Sequence, residues 1–138
     1  QIKIHKGRMK MASQHIVPLS PQVLSMLKQM HRISGDRQYV FPGVANPREG
    51  ISPDSLRVAL RRLGIDQDTL TTHGLRHTAS TQLNEQGFNS DAIERQLSHG
   101  DKNKIRATYN HAQYLDERRD MMNKWSDFLT KIKQDYAE

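Results

Sequence analysis

Ile2 and Ile4 alternate with Lys3 and His5, and after a polar stretch Ile16, Val17 and Leu19 follow. A period of two on both sides of a polar tip reads as a β-hairpin over residues 1 to 20, with Lys6, Arg8 and Lys10 at the tip. The period then lengthens. Ser20 and Pro21 read as the cap and first position of a helix whose apolar stripe is Val23, Leu24, Leu27 and Met30. QYVFPG marks a short extended stretch and a turn, and Ser52 with Pro53 repeats the start signal. In this second helix Leu56, Leu60 and Leu63 are expected to face inward, with Arg57, Arg61 and Arg62 elsewhere around the cylinder. Leu75, Ala79 and Leu83 then recur at steps of four on a third helix, which Gly87 stops. Ser90 reads as the cap of a short helix with Asp91 and Glu94 in its first turn, Ile93 and Leu97 pointing inward, and an end at His99 and Gly100. A long helix is expected from roughly Asn103 to Thr130, where Tyr114, Arg118, Met121, Trp125, Phe128 and Leu129 recur at steps of three and four. The final KIKQDYAE continues no such stripe. The pattern predicts an α+β fold, mainly α-helical, in which a small β-hairpin packs on a helical bundle.

Composition narrows the class. A chain of 138 residues suits one domain with a real core. Lys and Arg number 21 against 15 Asp and Glu, a formal charge of +6, and 35% of residues are apolar. That balance favours a polyanionic partner. No run of about 18 apolar residues offers a membrane span and no signal segment opens the chain, so no membrane partner is expected. Cysteine is absent, which excludes disulfides and thiolate metal sites and fits the cytoplasm. Gln1 already lies in a strand-like alternation and the first methionine is Met9, so the chain reads as a piece of something longer.

The stretch HGLRHTAST, residues 73 to 81, carries the chemistry. It sets two histidines and an arginine within about a turn and a half of helix. A guanidinium there suits a phosphate, to which it donates paired hydrogen bonds while staying charged at any working pH. Together with QLSHGDKNKIRATYNHAQYLDERRDMMNKW, this stretch resembles the C-terminal part of the catalytic domain of phage-integrase-family tyrosine recombinases, of the type found in satellite phages and genomic islands. The resemblance runs over nearly the whole chain. It implies the catalytic core of the DNA breaking-rejoining enzymes, and a prophage or mobile-element function: DNA integration through a 3′-phosphotyrosyl intermediate. It also implies double-stranded DNA attachment sites as partner, a homo-tetramer on that DNA, and no metal or other cofactor.

By the same resemblance, His73 and Arg76, then His99, then Tyr109 as nucleophile, and Lys10 on the hairpin would surround the scissile phosphate. The spacing is compatible, with 23 residues from Arg76 to His99 and 10 from His99 to Tyr109. The family places a further active-site arginine on a helix ahead of the hairpin, and the family's separate DNA-binding domains precede the catalytic domain. Neither has a counterpart here, so residues 1 to 138 alone are expected to be inactive.

Several rivals stand beside these assignments. Lys6 and Lys3 share the hairpin, and Lys10 is preferred because its distance from the returning strand resembles the family's hairpin. His73 and His77 are four apart, a spacing zinc uses on helices, but without a Glu in an H-E-x-x-H arrangement or any cysteine no metal is expected. Tyr114 is the alternative nucleophile. On one continuous helix Tyr109 would be rotated about 140° from the apolar stripe that contains Tyr114, which favours Tyr109. A helix break between the two, or a buried row of Ile105, Tyr109 and Ala112, would undo that argument. At the level of function the rivals are a DNA-binding module without turnover and a type IB topoisomerase-like enzyme that relaxes DNA.

Overall fold

A computed structural model describes residues 1–4, 15–98 and 113–136. In chain order the described elements are β1 (Ile2–Ile4), β2 (His15–Val17), α1 (Pro21–Ser34), α2 (Asp54–Arg62), α3 (Thr72–Glu85), α4 (Ser90–Gln96) and α5 (Leu115–Asp135). The fold is α+β and mainly helical, as the periodicities indicate. The chain divides into two compact units, Gln1–Pro21 with Ser80–Glu138, and Gln22–Ala79.

In the first unit β1 and β2 pair antiparallel, with Ile2 opposite Val17, Lys3 opposite Ile16 and Ile4 opposite His15. This is the hairpin that the alternation predicts; its tip, with Lys6, Arg8 and Lys10, lies outside the described residues. Leu83, Ile93 and Met121 form the apolar core, flanked by the partly buried Phe88, Leu97, Met122 and Trp125. Burial of each such side chain stabilises by about 1.5–3 kcal/mol. Trp125 and Phe128 stack at 5.5 Å between ring centroids. Ser20, just ahead of Pro21, donates its hydroxyl to Ser126 Oγ at 3.0 Å, with both residues buried.

The end of α3 explains how the core is closed. Gly87 has φ +79°, its N–H donates to Asn84 O, and Phe88 N–H donates to Leu83 O. This is a Schellman stop, and it lays the Phe88 ring against Leu83. Asn89 then caps α4 by accepting from Asp91 N–H at 2.9 Å. The expected cap was Ser90, which instead lies inside the helix and donates to Asn84 Oδ1. Both side chains are good cap formers, and the extended backbone of Asn89, with ψ 120°, decides between them.

The helix predicted from Asn103 to Thr130 differs at both ends. Residues 103 to 112 lie outside the described residues, and α5 starts at Leu115 because Tyr114 is left-handed, with φ 48° and ψ 35°. It runs on to Asp135, past the point where the apolar stripe ends. Within it Arg118 and Met121 are buried as expected, while Leu129 is exposed and Ser126 is buried in its stead.

The second unit is organised by polar contacts. Ser34, the one buried residue of α1, donates to Val40 O at 2.7 Å and so fixes the turn after the helix. Pro42 and Gly50 form an antiparallel bridge, supported by Gly43 N–H to Glu49 O and Ile51 N–H to Phe41 O. Gly64, with φ +79°, ends α2 in a second Schellman stop through Ile65 N–H to Leu60 O. No residue of α2 is buried. Leu56 and Leu63, expected inward, are exposed, as are Val23 and Leu24 of α1 and Leu75 of α3. Of the apolar rows that periodicity defines on α1 and α2, Leu27, Met30 and Leu60 are half-buried and the others are exposed.

Candidate functional site

The start of α3 is built by its cap. Thr71 Oγ1 accepts from Gly74 N–H at 2.8 Å, and Leu75 N–H makes the first helical bond to Thr71 O. A Cβ on Gly74 would stand 3.2 Å from Thr71 Oγ1, so glycine leaves the cap its room. Thr78 Oγ1 donates back to Gly74 O at 3.1 Å. The result is a firm first turn from which His73 projects into solvent, with the half-buried Arg76 three residues on. The His73 and His77 rings meet edge to face with centroids 4.6 Å apart. That perpendicular contact is packing between neighbours on one helix face. Among the described residues no group of three or more His, Cys, Asp or Glu is placed to hold a metal ion, and no helix is long and apolar enough to cross a membrane.

The loop leading into α3 is held by Arg61 and Asp66. The Arg61 guanidinium donates to Ile65 O and, at 3.4 Å, to Leu70 O. Asp66 Oδ1 accepts from Thr69 N–H at 2.6 Å. Hydrogen bonds from Thr69, side chain first and then backbone, hold the Asp66 carboxyl below its ordinary value. That contribution to the turn is present above the ordinary carboxylate pKa and is lost as pH falls through the lowered one. Arg57 pairs with Asp54 at 3.2 Å. Two of the three arginines of α2, Arg57 and Arg61, therefore have intramolecular tasks.

The five candidates divide sharply. His73 and Arg76 sit one turn apart at the start of α3; Lys10, His99 and Tyr109 lie outside the described residues. No continuous helix runs through Tyr114, whose backbone is left-handed, so rotation about a helix axis does not separate Tyr109 from Tyr114. Tyr114 is half-buried and its carbonyl accepts from Arg118 N–H at 2.8 Å, so it serves as the entry to α5.

Residues 1–116 match the model of the phage integrase family. The chain belongs to that family. Among curated integrases, it is 44% identical over 127 residues to prophage integrase IntA of Escherichia coli, covering 92% of this chain and 30% of that protein. It is 44% identical over 131 residues to the integrase of Enterobacteria phage P4, covering 93% and 30%. With the integrase of Shigella phage Sf6 it shares 37% identity over 129 residues, covering 93% and 33%. The chain thus spans about a third of the length of these integrases. No solved structure matches it. The matched span of the integrase model includes all five candidate positions.

Sequence reasoning missed the polar role of Arg118, placing it on the stripe of α5 among apolar residues. It is fully buried. Nε donates to Gln96 Oε1 at 2.9 Å, Nη1 to Gln113 O at 3.1 Å and Nη2 to Ile16 O at 2.5 Å. Burial first, and then repulsion from Arg95, pushes its pKa down to about 10, so it remains a cation near neutrality. The available signal was an arginine at a position where the helical period calls for an apolar side chain. A shallow groove of about 540 Å³ beside Phe88, Asn89, Glu117, Asp120 and Lys124 is lined by neither His73 nor Arg76.

Proposed function

We propose that this chain is the C-terminal portion of a tyrosine recombinase catalytic domain, and that the native protein carrying it cuts and rejoins duplex DNA at attachment sites through a 3′-phosphotyrosyl intermediate. The observation that carries the reading is membership of the phage integrase family over a span in which His73 and Arg76 stand one turn apart on the capped start of α3. Arg76 donates to the non-bridging oxygens of the scissile phosphate, where charge gathers as an oxygen attacks. The positive end of the helix favours the same anion. The Tyr109 phenol oxygen attacks phosphorus and passes its proton to His73. His99 donates a further hydrogen bond to the phosphate. The 5′ oxygen leaves with a proton from Lys10, and the P–O bond to tyrosine keeps the energy needed to join a second 5′ end without ATP. The +6 charge suits the polyanion. Exchange of strands between two sites calls for four copies on the DNA, in the cytoplasm where that DNA lies.

Covalent capture on a nicked duplex, in the native protein that carries this chain, tests the reading. Tyr109→Phe should abolish the adduct with DNA affinity nearly kept, while Tyr114→Phe should still form it. An adduct from the Tyr109→Phe protein would reverse the assignment. Adduct formation with plasmid relaxation but no joining of two duplexes would place the chain with the type IB topoisomerases.

A further inference from the structure

We propose that Arg118 is a positioning residue for strand cleavage, clamping into one frame the three segments that lead to Lys10, His99 and Tyr109; this rests on the phosphotyrosyl reading above. Each acceptor of its guanidinium lies on a different segment of the first unit. Ile16 O is on β2, six residues after Lys10; Gln96 Oε1 is at the end of α4, three before His99; and Gln113 O is four after Tyr109. The helix carries one other arginine, Arg119, which shows what an ordinary one does by pairing with Asp116 at the exposed surface.

The chemistry of the clamp argues against a purely packing role. All three acceptors are neutral oxygens, so among the described residues the buried cation is stabilised by hydrogen bonds without a carboxylate. An apolar side chain of similar volume would serve core stability as well or better. What an apolar side chain lacks is direction. Guanidinium N–H groups leave one plane along fixed vectors, and here Nε, Nη1 and Nη2 each take a different segment. A lysine ammonium offers three donors from a single atom and does not span acceptors so separated. Strand cleavage, in turn, is intolerant of slack, since a nucleophile, an acid and a phosphate clamp must meet within a few tenths of an ångström.

The test is single-turnover adduct formation at saturating DNA in the native protein, with the rate constant separated from the amplitude and with DNA affinity and melting temperature measured alongside. Arg118→Lys should lower the rate constant about 10- to 100-fold in the folded fraction, with DNA affinity unchanged. Gln96→Leu, which removes one of the three bonds, should lower it by a smaller factor. A merely structural Arg118 predicts lower amplitude and melting temperature with a wild-type rate constant in whatever remains folded, and that result would overturn the proposal. If Arg118→Lys does not fold, Gln96→Leu decides alone: a reduced rate constant supports the clamp and an unchanged one sinks it. Absence of any adduct from the wild-type protein is a different failure, which removes the phosphotyrosyl reading and the clamp with it.

Discussion

Lys10 and Arg76 act on different oxygens of the same phosphate in the proposed reaction, and a single atom of the substrate separates their roles. Protonation matters only when the leaving oxygen is a poor leaving group, so Lys10→Ala should slow cleavage of ordinary DNA by roughly 10² to 10⁴. A substrate with sulfur at the bridging 5′ position leaves as a thiolate and should restore the Lys10→Ala rate to near wild type. The same substrate should leave Arg76→Ala slow, because its lost contact is to the non-bridging oxygens. Rescue of Lys6→Ala in place of Lys10→Ala would move the acid to Lys6; rescue of neither would reduce the hairpin lysines to DNA contacts. At Arg118 the neutral partner Gln96 invites a second substitution. Gln96→Glu should stabilise the fold by about 1 kcal/mol, because a charge-assisted hydrogen bond replaces a neutral one beside a buried cation. The cation lowers the pKa of the introduced carboxyl, so the gain should be complete above the usual carboxylate range and vanish as pH falls through the lowered value. Equal melting temperatures of the two proteins at pH 7 would show that the guanidinium is already satisfied.

At the scale of elements, the cap of α3 bears directly on the candidate site. Thr71→Ala removes the acceptor of Gly74 N–H and should cost about 1 kcal/mol in unfolding free energy. In the native protein it should also slow cleavage, because His73 and Arg76 leave from the turn that the cap holds; wild-type cleavage would separate the cap from the site. How much of this was legible in the sequence depends on what each signal encodes. Period and punctuation located β1, β2 and the first four helices, since Pro21 and Gly87 act locally. They failed at α5. A tyrosine in left-handed backbone has no sequence mark, and the Lys- and Gln-rich turns beyond Thr130 stay helical on propensity with no stripe to announce them. They also misjudged Leu56, Leu63 and Leu75, because a periodic row names a face and does not say what covers it. His73 and Arg76 were readable because both sit on one element. The Arg118 clamp was not, because its acceptors come from three segments spread over about a hundred residues.

For the molecule as a whole, the buried apolar residues among those described, Leu83, Ala92, Ile93 and Met121, all belong to the first unit. Local opening costs most where apolar contacts are densest. Amide hydrogen exchange should therefore be slowest in α4 and the middle of α5 and markedly faster in α2, which buries nothing. Protection of α2 equal to that of α5 would show that this division of the core does not set local stability. The left-handed Tyr114 carries a consequence of another kind. A helix that ran unbroken into α5 would transmit every inserted residue as a turn of about 100°, swinging Met121 out of the core. With the phase reset at Tyr114, the length of chain between α4 and α5 is released from that constraint. A residue inserted in that stretch should therefore leave Met121 in the core and the packing of α5 undisturbed.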